Sequence, residues 1–161
     1  MGGRRTSGVV ALASFCQFRV MPGHPAHDDA GKPEEHLVLG YDAPDGRRLV
    51  LEDDGRVAYA YLLEHGEIVG DVWLYNVGPD PEEVNWQERA DAPLRNPARY
   101  CTAQVLPRID QRRSITCVWS EQGVSLHVDG FRWAYLRKGS KPGWSIKART
   151  SGPLARPFDS P

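Results

Sequence analysis

From His36 onward, apolar and polar positions alternate in runs of strand length, and glycine breaks the runs at hairpin spacing. The first block reads Leu37–Tyr41, Arg48–Asp53, Arg56–Glu64 and Glu67–Asn76. The second reads Tyr100–Leu106, Ser114–Glu121, Val124–Val128 and Phe131–Arg137, with Trp144–Ala148 as a final edge strand. Gly55, Gly66, Gly123 and Gly130 mark tight turns, where pairs such as Asp129-Gly130 tolerate the positive φ that two-residue hairpin loops demand.

Two-residue loops at Asp54-Gly55 and His65-Gly66 imply a register for the first block. Leu51 then faces Ala58, Leu62 faces Val69, Ala60 faces Asp71 and Ala58 faces Trp73. One face carries Leu49, Leu51, Ala58, Ala60, Leu62, Val69 and Trp73, with Asp71 among them. The other carries Val50, Val57, Tyr59, Tyr61, Leu63, Ile68, Val72 and Leu74. Both faces are apolar enough to predict a sheet covered in part on both sides.

In the second block the same logic pairs Trp119 with Leu126, Leu126 with Trp133 and Val124 with Tyr135. A core face follows: Cys117, Trp119, Val124, Leu126, Val128, Phe131, Trp133 and Tyr135. The opposite face carries Thr116, Ser120, Ser125, His127 and Arg132, with Val118, Ala134 and Leu136 among them. The fold class predicted is mostly β: an antiparallel meander forming a sandwich or partly closed barrel, with one short helix. Asp80-Pro81-Glu82-Glu83, a cap followed by proline and acids, places that helix over 81–89.

The expected organisation is a weakly ordered N-terminal segment over 1–35, one β domain over 36–150 and a flexible tail over 151–161. Met21 is a plausible alternative initiator, and Arg4-Arg5 before Val9–Ala13 is a poor match to an export signal. No run approaches the ~20 apolar residues of a membrane-spanning helix. The expected location is the cytoplasm, with export the minority reading and no membrane association.

The net charge of −1 conceals an asymmetry. Residues 1–98 carry nine Lys or Arg against seventeen acids, a balance of −8. Residues 99–161 carry eleven against four, a balance of +7. Two halves facing each other in one fold would largely neutralise, and that reading is preferred to a nucleic-acid partner. Three cysteines do not make a disulfide scaffold. Cys101 and Cys117, expected on neighbouring strands, are either a bridge in an oxidising compartment or two buried thiols.

Candidate chemistry is sparse. Asp71 is a carboxylate on an apolar strand face, where burial can raise its pKa, although an edge position or an Arg partner explains it as well. His127 with Ser125, Ser120 and Arg132 can hold an anion, although a solvated sheet face is the simpler account. The histidines and aspartates at 24–29 can hold a divalent metal only weakly. Arg132, Arg137, Lys138, Lys141, Lys147 and Arg149, with Tyr135 and Trp144 interleaved, form a basic C-terminal region able to contact single-stranded nucleic acid. The chain pI of about 6.5 argues against that use.

The expectation is therefore a small non-catalytic binding protein, with no cofactor and no metal. Its partner would be another protein of the immunity or accessory type, met through an exposed sheet face or the 77–99 connection. A small-ligand barrel lined by Tyr59, Tyr61 and Trp73 is the first alternative, and nucleic-acid contact the second. The ligand-contact residues expected are Asp71, Trp73, Tyr59, Tyr61, His127 and Arg132.

Overall fold

The computed structural model describes residues 36–84, 86–87 and 92–158. The expectations for 1–35, including Met21 and the histidines at 24–29, lie outside the described residues. Two antiparallel meanders follow one another along the chain. The first contains β1 (Leu37–Asp42), β2 (Arg48–Asp53), β3 (Val57–Glu64) and β4 (Glu67–Asn76). The second contains β5 (Ile115–Trp119), β6 (Gly123–Val128), β7 (Phe131–Arg137) and β8 (Trp144–Ser145). Strand order is sequential in each four-stranded sheet, and neither closes into a barrel.

The turns form where glycine or a local carboxylate fits. His65 (φ 53°) and Gly66 (φ 82°) make one two-residue loop, and Asp129 (φ 50°) and Gly130 (φ 83°) make another, as the sequence predicts. The β2–β3 loop sits one residue later than expected, at Gly55-Arg56, so Leu51 faces Ala60 rather than Ala58. Side chains explain the shift. Asp53 Oδ1 accepts from the Gly55 N–H at 2.9 Å, and Asp54 Oδ1 accepts from Arg56 and Val57 N–H at 2.8 and 2.9 Å. Across the β5–β6 turn, Trp119 faces Val124 rather than Leu126. Gly123 is then inside β6, where a Cβ would collide with the Leu136 carbonyl oxygen.

Three register breaks reverse the expected faces. Leu62 pairs with Gly70 and Leu63 with Ile68, which leaves Val69 as an extra residue in β4. Leu74 is extra in the same way between Tyr75 and Trp73. Asp71 and Trp73 consequently face Tyr61 and Tyr59, not the alanines, and Val72 turns inward. In β7 the extra residue is Trp133, between the pairs Leu126–Ala134 and His127–Arg132. Ala134 and Leu136 take the buried positions, whereas Tyr135 is half-buried on the outer side and Phe131 is exposed. A bulge adds one residue to one strand and flips every side chain beyond it.

The inner faces join in one apolar core. Leu49, Leu51, Ala58, Ala60, Leu62 and Val72 from the first sheet meet Val124, Leu126, Val128, Ala134 and Leu136 from the second. Tyr75 and Trp133 cross between sheets edge to face, with ring centroids 6.2 Å apart. Arg47 closes the opposite side, donating to the Ser120 carbonyl at 2.6 Å and lying over the Trp119 ring.

Between the sheets, the expected strand Tyr100–Leu106 does not form. A 3-10 turn, Ala98–Tyr100, is the only helical element among the described residues, and Cys101 makes a single bridge to Ala148. The helix expected over 81–89 is absent from its described part: 81–84 are irregular and 86–87 form a turn. Within the expected C-terminal tail, residues 152–156 pack instead. Ala155 is fully buried, Arg156 bridges Trp144 in parallel, and the Leu154 carbonyl accepts from the Trp73 N–H at 3.0 Å. Among the described residues no helix is long and apolar enough to cross a membrane.

Candidate functional site

Tyr59, Tyr61, Asp71 and Trp73 do gather on one face, the outer side of β3 and β4. The Tyr59 and Tyr61 rings stack at 5.8 Å and 9°. The group has little access to solvent. Trp73 is fully buried, and its indole N–H donates to Asn76 Oδ1 at 2.9 Å. Asn76 in turn donates to Asp80 and to the Asn96 carbonyl, each at 2.8 Å, and Tyr59 donates to the Leu94 carbonyl at 2.6 Å. Asp80, Leu94 and Asn96 are thereby clamped to these strands. Burial raises the pKa of both tyrosines. Asp71 is half-buried, and desolvation raises its pKa while nearby Lys141 opposes the shift.

A buried latch that the sequence does not announce lies at the end of β2. Asp53, 2% exposed, accepts a two-pronged contact from Arg108 at 2.9 and 3.1 Å and a hydrogen bond from Tyr75 at 2.7 Å. The Tyr75 oxygen accepts from the Ile109 N–H at 2.9 Å. These bonds tie the 102–113 segment to the first sheet. Lys147 is also withdrawn from the surface, donating to the carbonyls of Thr102 and Gln104 at 2.7 and 2.5 Å. It therefore leaves the basic surface to which its position in the sequence assigned it.

The open surface is the outer face of the second sheet. Val118, Ser125, Tyr135 and Trp144 form a row across all four strands, with Thr116, His127 and Arg132 beside it. Val118 is 55% exposed. His127 and Arg132 are cross-strand partners. His127 Nδ1 is shielded and has no hydrogen-bond partner among the described residues, and Arg132 lies 4.2 Å over the Phe158 ring. Tyr135 and Trp144 pack at 5.5 Å and 43°.

The guanidiniums of Arg137 and Arg156 lie 5.1 and 5.2 Å from the Trp144 ring centroid. At this end a cavity of about 560 Å³ is lined by Gln122, Arg137, Lys138, Gly139, Ser140 and Arg156. Lys138 pairs with Glu64, whose carboxyl is held below its usual range by that contact. Arg137 and Arg156 have no carboxylate partner among the described residues. Neutralisation between the halves is therefore partial: Arg108–Asp53 and Lys138–Glu64 cross, while Arg99, Arg112, Arg132, Arg137, Arg149 and Arg156 make no ion pair among the described residues. Arg156 lies in a Gly- and Pro-rich stretch with no periodicity to mark it.

Cys101 and Cys117 are both free thiols, and burial pushes each up to about 12. Neither is a ready nucleophile at neutral pH. Among the described residues no three His, Cys, Asp or Glu side chains converge to hold a metal ion. No family model, curated protein or solved structure matches the chain.

Proposed function

We propose that this is a non-catalytic binding protein whose partner is another protein, met through the outer face of the second sheet by an acidic surface. The observation that carries the reading is the Tyr135–Trp144 row beside Arg132, Arg137 and Arg156. Tryptophan, tyrosine and arginine dominate the energetics of protein interfaces. Unpaired guanidiniums at the rim complement carboxylates and steer encounter. Protein is favoured over single-stranded nucleic acid because two guanidiniums already occupy the Trp144 ring, where a base would have to stack.

The test is capture of partners from the protein's own cells by the full chain and by the Arg137→Glu/Arg156→Glu variant. The expected result is an acidic protein, held by the native chain, released by salt and lost from the variant. Capture of nucleic acid, or the same proteins on both baits, would overturn the reading.

A further inference from the structure

The cavity beside Trp144 holds more positive charge than its neighbours neutralise. Its three cations come from separate places: Arg137 from the end of β7, Lys138 from the turn after it and Arg156 from the C-terminal segment. Glu64 neutralises Lys138, which leaves the equivalent of two guanidinium charges. Both guanidiniums lie against the Trp144 ring, which restricts them and keeps them beside the same cavity. The Ser140 hydroxyl is committed to the turn, accepting from the Arg137 N–H at 3.0 Å and donating to the Arg137 carbonyl at 2.7 Å. The Gln122 side chain adds a neutral amide to the lining. The cavity is an open surface depression, wide enough to admit a small anion.

We propose that this cavity binds a phosphate monoester, gripped by Arg137 and Arg156 with Lys138 at its rim. Charge selects the class. Two unpaired cations match a dianion, whereas a phosphodiester or a single carboxylate leaves one cation unmatched. The planar guanidinium fork meets two phosphate oxygens at once. The proposal goes beyond the protein-partner reading and stands without it, because it needs no second macromolecule.

The test is titration of the full chain with O-phosphoserine, inorganic phosphate and dimethyl phosphate, followed by calorimetry and by NMR of the arginine Nε–H groups. Phosphoserine is expected to shift the Arg137 and Arg156 signals and to bind at least about tenfold more tightly than the diester. Its affinity should fall as pH drops below about 6, where the second proton returns. Glu64→Gln frees Lys138 and should tighten binding about threefold. Arg137→Gln/Arg156→Gln should weaken it at least about tenfold. Glucose 6-phosphate and a phosphoserine peptide separate the sources: the one that binds more tightly names a free metabolite or a modified side chain. Equal affinity for monoester and diester, or a double variant that binds unchanged, would overturn the proposal. If the double variant fails to fold, the Glu64→Gln result and the pH profile still decide. None of these probes tests protein capture, so the two readings fail separately.

Discussion

The two sheets share a sequential four-stranded topology but differ in their outer faces. Over β3 and β4 the outer face is closed: Leu94 and Asn96 are bonded onto it, and Trp73 has no exposure at all. Over β5–β8 the row is more open: Val118 is exposed, Tyr135 and Trp144 are half-buried, the Arg137 and Arg156 side chains lie against its Trp144 end, and Phe158 sits against Arg132 beside it. The contrast teaches that aromatic content does not locate a binding face. Tyr59, Tyr61 and Trp73 serve packing, whereas Tyr135 and Trp144 remain half-exposed.

The sharpest way to break this contrast is to truncate one apolar side chain on each outer face. Trp73→Ala should cost about 3–5 kcal/mol in urea unfolding, because it empties a fully buried site. Val118→Ala, on the open face, should change stability by less than about 0.5 kcal/mol. Equal costs would mean that the second face is covered as well.

Next in size is the latch that ties the 102–113 segment to the first sheet. Arg108→Ala leaves the Asp53 carboxylate buried with only Tyr75 and the Gly55 N–H as partners. The expected loss is about 2–3 kcal/mol, measured by chemical denaturation at neutral pH. A loss under about 0.5 kcal/mol would show that the 102–113 segment does not depend on it.

Smaller still is a pH effect on the closed face. Burial holds the Asp71 pKa above that of the unfolded chain. The folded state therefore disfavours the ionised form, and the resulting penalty is absent below the unfolded pKa and grows as pH rises through the folded one. Asp71→Asn should stabilise the protein slightly at pH 7, with the gain gone at acidic pH where both states are protonated. A gain that persists in acid would mean that desolvation is not the cause.

Strand positions were largely legible: Arg48–Asp53, Glu67–Asn76 and Phe131–Arg137 are read directly from alternation, and the His65-Gly66 and Asp129-Gly130 turns from their residue types. The faces were less so. Val69, Leu74 and Trp133 are ordinary strand residues, and nothing in their chemistry marks them as the extra residue of a bulge. Because both sides of β4 are apolar, hydrophobicity could not reveal the flip. Tyr100–Leu106 reads as a strand, yet its segment is held by Asp53, Lys147 and Tyr75 instead of a ladder. His127 and Arg132 were placed together correctly on a polar face, while Arg156 carried no signal because only the folded C-terminal segment brings it to Trp144.

The edge of β4 has a consequence for the protein at high concentration. Val69, Asp71 and Trp73 would present free backbone groups along this margin, but residues 139–143 and 154 satisfy them at 2.7–3.0 Å. An uncovered edge is a template on which another chain can add a strand. The C-terminal segment supplies only the bond to Trp73, so a chain cut before residue 152 would free that single N–H beside Val72 and Leu74, while residues 139–143 would still cover the edge at Val69 and Asp71.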